Sequence, residues 1–289
     1  MVTSSCYLHE HETSNTSHHE CMSSILHYKE QFLLIFMFFR SFPRISLARA
    51  LSTSTAVMLP STNRSSSNPP VISLSQITPY FPRHAAWPYS SRDFTRSDEA
   101  SDSDFYTQPR FVAHIDDPAI SRLTAYYGTV IPRTGRVLDF CTAWNSWYPD
   151  VITDAVNRGD VEVYGLGMNA KELAKNQLLC GFSDRSAAVD LNVAPHSISA
   201  GWSSNHGDGQ TVPKFDCATC TVSIDYLTEP VKVLESVRKH MSDGGTVHLI
   251  ISNRCFPTKA VRIWLELDTN ERLQLVGGMM CTGMSYPSY

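Results

Sequence analysis

The chain has 289 residues, 42% of them hydrophobic, with 24 Lys and Arg against 28 Asp and Glu and a net charge of -4. Its length suits one domain of ordinary size with a tail, or two small domains, and the slightly acidic balance gives no electrostatic footprint for a nucleic acid. The longest strongly apolar run, FLLIFMFF at 32–39, is too short to span a bilayer, and eight cysteines without paired spacing argue against a disulfide framework.

Residues 1–30 carry His9, His11, His18, His19 and Cys21 among Ser, Thr and Glu. Without a ligand pair of defined spacing they read as a polar tail and not as a metal site. From Gln31 to Arg92 there is no Asp, Glu or Lys, while Arg40, Arg44, Arg49, Arg64, Arg83 and Arg92 stand among many serines. That is the composition of an organellar transit peptide, here over residues 37–60, with translation starting at Met37. It points to mitochondria or a plastid; the alternative is a cytoplasmic protein with an acid-free tail. SRDFTRSDEASDSD at 91–104 reads as an acidic linker with too little apolar surface to fold. Residues 1–104 are therefore expected to be disordered, and residues 105–289 to form the domain.

Asp117–Pro118 reads as a helix start. RVLDF (136–140) is an apolar strand, WYPDVITDAVNRG (147–159) an amphipathic helix stopped by Gly159, and VEVYGLGM (161–168) a second strand. NAKELAKNQLL opens a second helix, with Asn169 as N-cap and Glu172 three residues on. AAVDL (187–191) and the almost wholly apolar FDCATCTVSI (215–224) are the third and fourth strands, and EPVKVLESVRKHM (229–241) a helix with Pro230 in its first turn. SDGG turns into the fifth strand, TVHLIIS (246–252). Cys217 and Cys220 form a CxxC inside a strand, where they point to opposite faces as core residues. ERLQLVGGMMCTGM then reads as helix from Leu273, Val276 and Met280. Alternation of this kind makes an α/β, doubly wound, mainly parallel sheet with helices on both faces, and ligands sit at the carboxyl ends of its strands.

The stretches RFVAHIDDPAI, RVLDFCTAWNSWYP, VYGLGMNAKELAKN, VDLN, FDCATCTVSIDYLTEP and SNRCFPTKAVRIWLE, in that order, resemble an uncharacterised branch of the class I S-adenosylmethionine-dependent methyltransferases, over residues 110 to about 280. The resemblance implies a Rossmann-like methyltransferase sheet and S-adenosylmethionine as cofactor. It makes Asp139 the acidic residue that orients the cofactor loop, and places Cys141, Ala143 and Trp144 of that loop at the methionine part, Met168 and Asn169 beside the ribose, Asp190 and Leu191 at the adenine, and Thr221 and Val222 at the sulfonium. Asp225, Tyr226, Asn253 and Arg254 fall on the substrate side, and no catalytic base is identified. His114 either acts as a base on a lid or simply precedes a helix.

Two departures from the resemblance stand out. Gly167 occupies the position where an acidic residue usually grips the ribose hydroxyls, with Asn169 as the available substitute. The last two strands of the usual sheet are missing after the fifth, which leaves an open apolar edge that invites association and suggests a truncated gene product. The expected reaction is methyl transfer to an unidentified acceptor, a small molecule sooner than a nucleic acid. The rival is a methyltransferase-like module that binds without catalysis. A nicotinamide-dependent oxidoreductase is disfavoured, because the glycine fingerprint is absent and Pro230 stands where a Tyr-x-x-x-Lys pair would need Lys.

Overall fold

The computed structural model describes residues 83–84, 86–202 and 212–284, and the backbone of three strands further upstream, β1 (Ser24–His27), β2 (Ile35–Arg40) and β3 (Thr78–Pro79). The disordered-tail and transit-peptide readings otherwise lie outside the described residues. From residue 86 the chain runs through a 3-10 turn at Ser91–Phe94, then α1 (Asp102–Phe105) and α2 (Asp117–Val130). The alternating part follows: β4 (Gly135–Phe140), α3 (Asp150–Asn157), β5 (Val161–Gly167), α4 (Ala170–Leu173) and β6 (Ser186–Ala188). It continues with β7 (Phe215–Thr221), α5 (Pro230–Lys239), β8 (Met241–Ile251), α6 (Arg262–Glu266) and α7 (Thr269–Met284).

Five parallel strands stand in the order β8-β7-β4-β5-β6, so the chain starts in the middle and winds outward both ways. Period-2 alternation divides the core between the two faces. Leu138, Phe140, Ala218 and Cys220 pack towards α5 and α7, whereas Val137, Val163 and Cys217 pack towards α2 and α3. Cys217 and Cys220 thus serve opposite faces, as their spacing requires. The close approach of α7 to α5 depends on Gly283, where any Cβ would press on Leu234. Several elements are shorter than their sequence pattern suggests. α4 is a single turn, and the DGG segment forms an irregularity inside β8, where Phe215 pairs with Met241 but Cys217 with Thr246.

Two expectations need correction. No strand follows β8 among the described residues, but the edge of β8 is not open. β2 pairs with it antiparallel over six positions, from Ile35 opposite Ile251 to Arg40 opposite Thr246, and β1 pairs antiparallel with β2. The apolar run 32–39 overlaps the strand that satisfies this edge, which composition alone could not reveal.

Residues 91–104 are also no unfolded linker. Phe94 is buried among Trp87 and Tyr89, and Thr95–Arg96 lies antiparallel to Val261–Arg262. Charge pairing orders this polar stretch in place of apolar area. Arg96 donates to both oxygens of Asp102 at 2.8 Å, and Lys259, 1% exposed, reaches Asp102 and Asp98 at 3.2 Å each.

Candidate functional site

A cavity of 540 Å³ opens at the carboxyl ends of β4, β5, β7 and β8, a volume within the usual range for small-molecule sites. Its floor is the turn after β4. Asp139 is the penultimate residue of that strand and 1% exposed, and its Oδ1 accepts from the Thr219 hydroxyl at 3.0 Å. Thr219 in turn is held by Tyr148 at 2.6 Å. Oδ2 of Asp139 has no hydrogen-bond partner of good geometry, although the Ser146 and Thr142 hydroxyls lie close enough to favour the charged form. Burial outweighs them and pushes this carboxyl up to about 6.

The turn itself manages without glycine. Cys141 and Trp147 adopt φ of 57° and 58°, left-handed values that cost a side-chain-bearing residue about 1–2 kcal/mol each. Hydrogen bonds hold the loop in place. Thr142 N–H donates to the Leu166 carbonyl at 2.7 Å, Asn145 Oδ1 accepts from Trp147 N–H at 2.8 Å, and Asn176 donates to the Ala143 carbonyl and the Ser146 hydroxyl at 3.0 and 2.9 Å. Across the cavity Val222, which follows β7, sits at φ 43°, an outlier for a β-branched side chain. Strained backbone gathered around one cavity is characteristic of a ligand site.

The first turn of this loop lies so close to β5 that a Cβ at Gly167 would collide with the Thr142 carbonyl oxygen. No acidic side chain can occupy that position while the loop keeps its path. Asn169 does not replace it, since it is absent from the cavity lining and its amide is fully engaged. Oδ1 caps α4 through Lys171 and Glu172 N–H, and Nδ2 donates to the Tyr106 and Thr107 carbonyls. The carboxylate that does line this part of the cavity is Glu172, 8% exposed, with Oε1 accepting from Arg110 N–H at 2.6 Å.

Of the remaining predicted residues, Cys141, Ala143, Trp144, Met168, Asp190, Leu191, Thr221, Val222, Tyr226, Asn253 and Arg254 all line the same cavity. Asp190 turns its Oδ1 onto Asn192 N–H at 2.8 Å, and burial raises its carboxyl. Asp225 does not line the cavity. It is 3% exposed, its Oδ2 has no partner, and burial pushes it up to about 7.

The segment 95–116 crosses the cavity as a strap. Besides its bonds to Asn169 and Glu172, its Val112 carbonyl accepts from the Trp144 indole at 3.3 Å. Arg110 and His114 on this strap lie 5.4 and 5.2 Å from the Phe256 ring, and Tyr106 lines the cavity beside them; Arg110, Tyr106 and Phe256 carry no short-range sequence signal. No group of three or more His, Cys, Asp or Glu among the described residues is arranged to hold a metal.

No family model matches the sequence, and neither does any curated protein. Among solved structures, the chain is similar to an S-adenosylmethionine-dependent methyltransferase from Clostridium acetobutylicum, at 17% identity and TM-score 0.27, over 40% of this chain and 42% of that one. It is similar also to one from Mesorhizobium loti, at 18% and 0.31, over 43% and 50%. A third match is the cyclase SpnF, at 17% and 0.36, over 56% of each chain. The chain thus spans about half the length of these structures. The strand order and winding of its own sheet make the fold a doubly wound, Rossmann-like α/β domain.

Proposed function

We propose that this chain binds S-adenosylmethionine in the cavity and transfers its methyl group to a small-molecule acceptor. The observation that carries the reading is Asp139. It is a buried carboxylate at the carboxyl end of the central strand, with one oxygen lacking a partner beside a left-handed turn that needs no glycine. Such an oxygen is suited to the ammonium of an amino acid moiety. On this reading Glu172 takes the ribose hydroxyls and Asp190 with Leu191 the adenine, since all three line the cavity. When bound, the cofactor supplies a methyl group on sulfur, which passes to an acceptor lone pair as the carbon–sulfur bond electrons return to sulfur. The chain's contribution is alignment of the two partners and exclusion of water beneath the strap.

The test is a thermal-shift titration of the full chain with S-adenosylmethionine, S-adenosylhomocysteine and NAD. Saturable stabilisation by the first two is expected, about 2.7 kcal/mol at a hundred times the dissociation constant. Asp139→Asn should weaken it about tenfold, as loss of a charge-assisted bond predicts. No shift, or an equal shift with NAD, would overturn the reading. The glycine-free loop crowded by Trp144 and Trp147 favours the second reading, a module that binds without transferring; cofactor binding with no product across an acceptor screen would select it. Delivery to an organelle through residues 37–60 is a separate proposal, supported by composition alone.

A further inference from the structure

The cavity is lined by both carboxylates and cationic groups. Of the carboxylates that line it, Asp102 is bonded to Arg96, Lys259 and Asn192, Asp190 to Asn192 N–H and Glu172 to Arg110 N–H, while Asp139 keeps one oxygen without a partner. One side of the cavity lies between the strap and the loop that follows β8. Its lining there comprises Arg110, His114, Tyr226, Arg254 and Phe256, with the Glu172 carboxylate beside them on Arg110 N–H.

Arg110 is built in with unusual care for a residue without an acidic partner. Its guanidinium lies 4.4 Å from the Phe105 ring and 5.4 Å from the Phe256 ring, and Nη2 donates to the Phe105 carbonyl at 3.2 Å. Nη1 is buried and has no hydrogen-bond partner, and no carboxylate pairs with the group among the described residues. A buried cationic donor left unmatched costs more than a neutral one, so this arrangement persists at a penalty that a ligand would remove. The planar fork of a guanidinium matches a carboxylate in two parallel bonds. Beside it the Tyr226 and Phe256 rings lie 6.0 Å apart at 33°, an apolar wall for a flat body.

We propose that this side of the cavity binds a small carboxylic acid with a flat apolar body, its carboxylate paired with Arg110 and its body against Tyr226 and Phe256. The proposal rests on the reading that the Asp139 side of the cavity takes S-adenosylmethionine. The cofactor's own methionine part also carries a carboxylate, and the experiment separates the two sources.

The experiment is calorimetric titration of the full chain, saturated with S-adenosylhomocysteine, with benzoate, 4-hydroxybenzoate and cinnamate and with the three matching carboxamides. The acids should bind about tenfold more tightly than the amides, the ratio expected from one charge-assisted pair. Arg110→Met should abolish that preference and leave S-adenosylhomocysteine affinity unchanged. If Arg110→Met fails to fold, Arg110→Lys keeps the charge without the fork and should reduce the preference severalfold. Equal binding of acids and amides, no binding by any of the six, or loss of S-adenosylhomocysteine affinity in the Arg110 variant would overturn the proposal. The last outcome would assign Arg110 to the cofactor's carboxylate. If S-adenosylhomocysteine does not bind the wild-type chain, the cofactor reading fails on its own, and the acid–amide comparison without it still decides Arg110.

Discussion

Three of the most deeply buried titratable side chains, Asp139, Asp225 and His248, contribute to how this fold responds to pH. Burial raises Asp139 to about 6 and Asp225 to about 7, from an unfolded value of 3.8. Between the unfolded and folded values the folded state holds more protons, so stability falls as pH rises through that window. His248 acts the other way. It is buried between the Tyr126 hydroxyl and Thr246, burial lowers it to about 3 from 6.5, and its contribution is complete only above 6.5. Below 6.5 the two effects oppose each other; from 6.5 to about pH 8 only the carboxylates act. The melting temperature of the ligand-free protein should therefore fall across that upper interval. Asp225→Asn should remove much of the fall and raise the melting temperature at the alkaline end, because Asp225 lies outside the cavity and its Oδ2 bonds to nothing. Melting curves at the two pH values check this, and an unchanged slope in the variant would refute it.

At the scale of elements, the parallel strands were legible because each pairs hydrophobic period with a clear stop, and Asp139 followed from its place at the end of the first of them. The strap was not legible. Its order depends on contacts such as Lys259 with Asp98 and Asp102, more than 150 positions apart, while local composition shows only an acidic polar run. Asn169 illustrates the same limit. Its spacing announced an N-cap correctly, but only the fold shows that its remaining amide hydrogens hold Tyr106 and Thr107 and are not available to a ribose. Lys259 also donates to the Ala100 carbonyl at 2.7 Å, so it joins the strap to the loop after β8. Removing one member of a buried charge cluster leaves the others uncompensated, and Lys259→Met should cost about 3 kcal/mol in denaturant unfolding. The variant should also bind S-adenosylhomocysteine more weakly, since the strap roofs the cavity. Stability within experimental error of wild type would show that Arg96 alone suffices for Asp102.

For the molecule as a whole, the open question is what the N-terminal segment does. Its composition suggests a cleavable leader, whereas the fold uses Ile35–Arg40 as the strand beside β8 and Ser24–His27 as the strand beyond it. Both roles cannot be filled by one molecule at one time, because cleavage after residue 40 would remove the two strands and expose the backbone groups of β8. An exposed edge next to an apolar core is a template for pairing with another chain. Two versions of the protein, the full chain and one beginning at Ala50, therefore make a direct comparison. The shorter one should self-associate with rising concentration in light scattering and melt at a lower temperature, while the full chain should do neither. A shorter chain that stays monomeric and equally stable would mean that β8 does not need β2, and the leader reading would then account for the segment by itself.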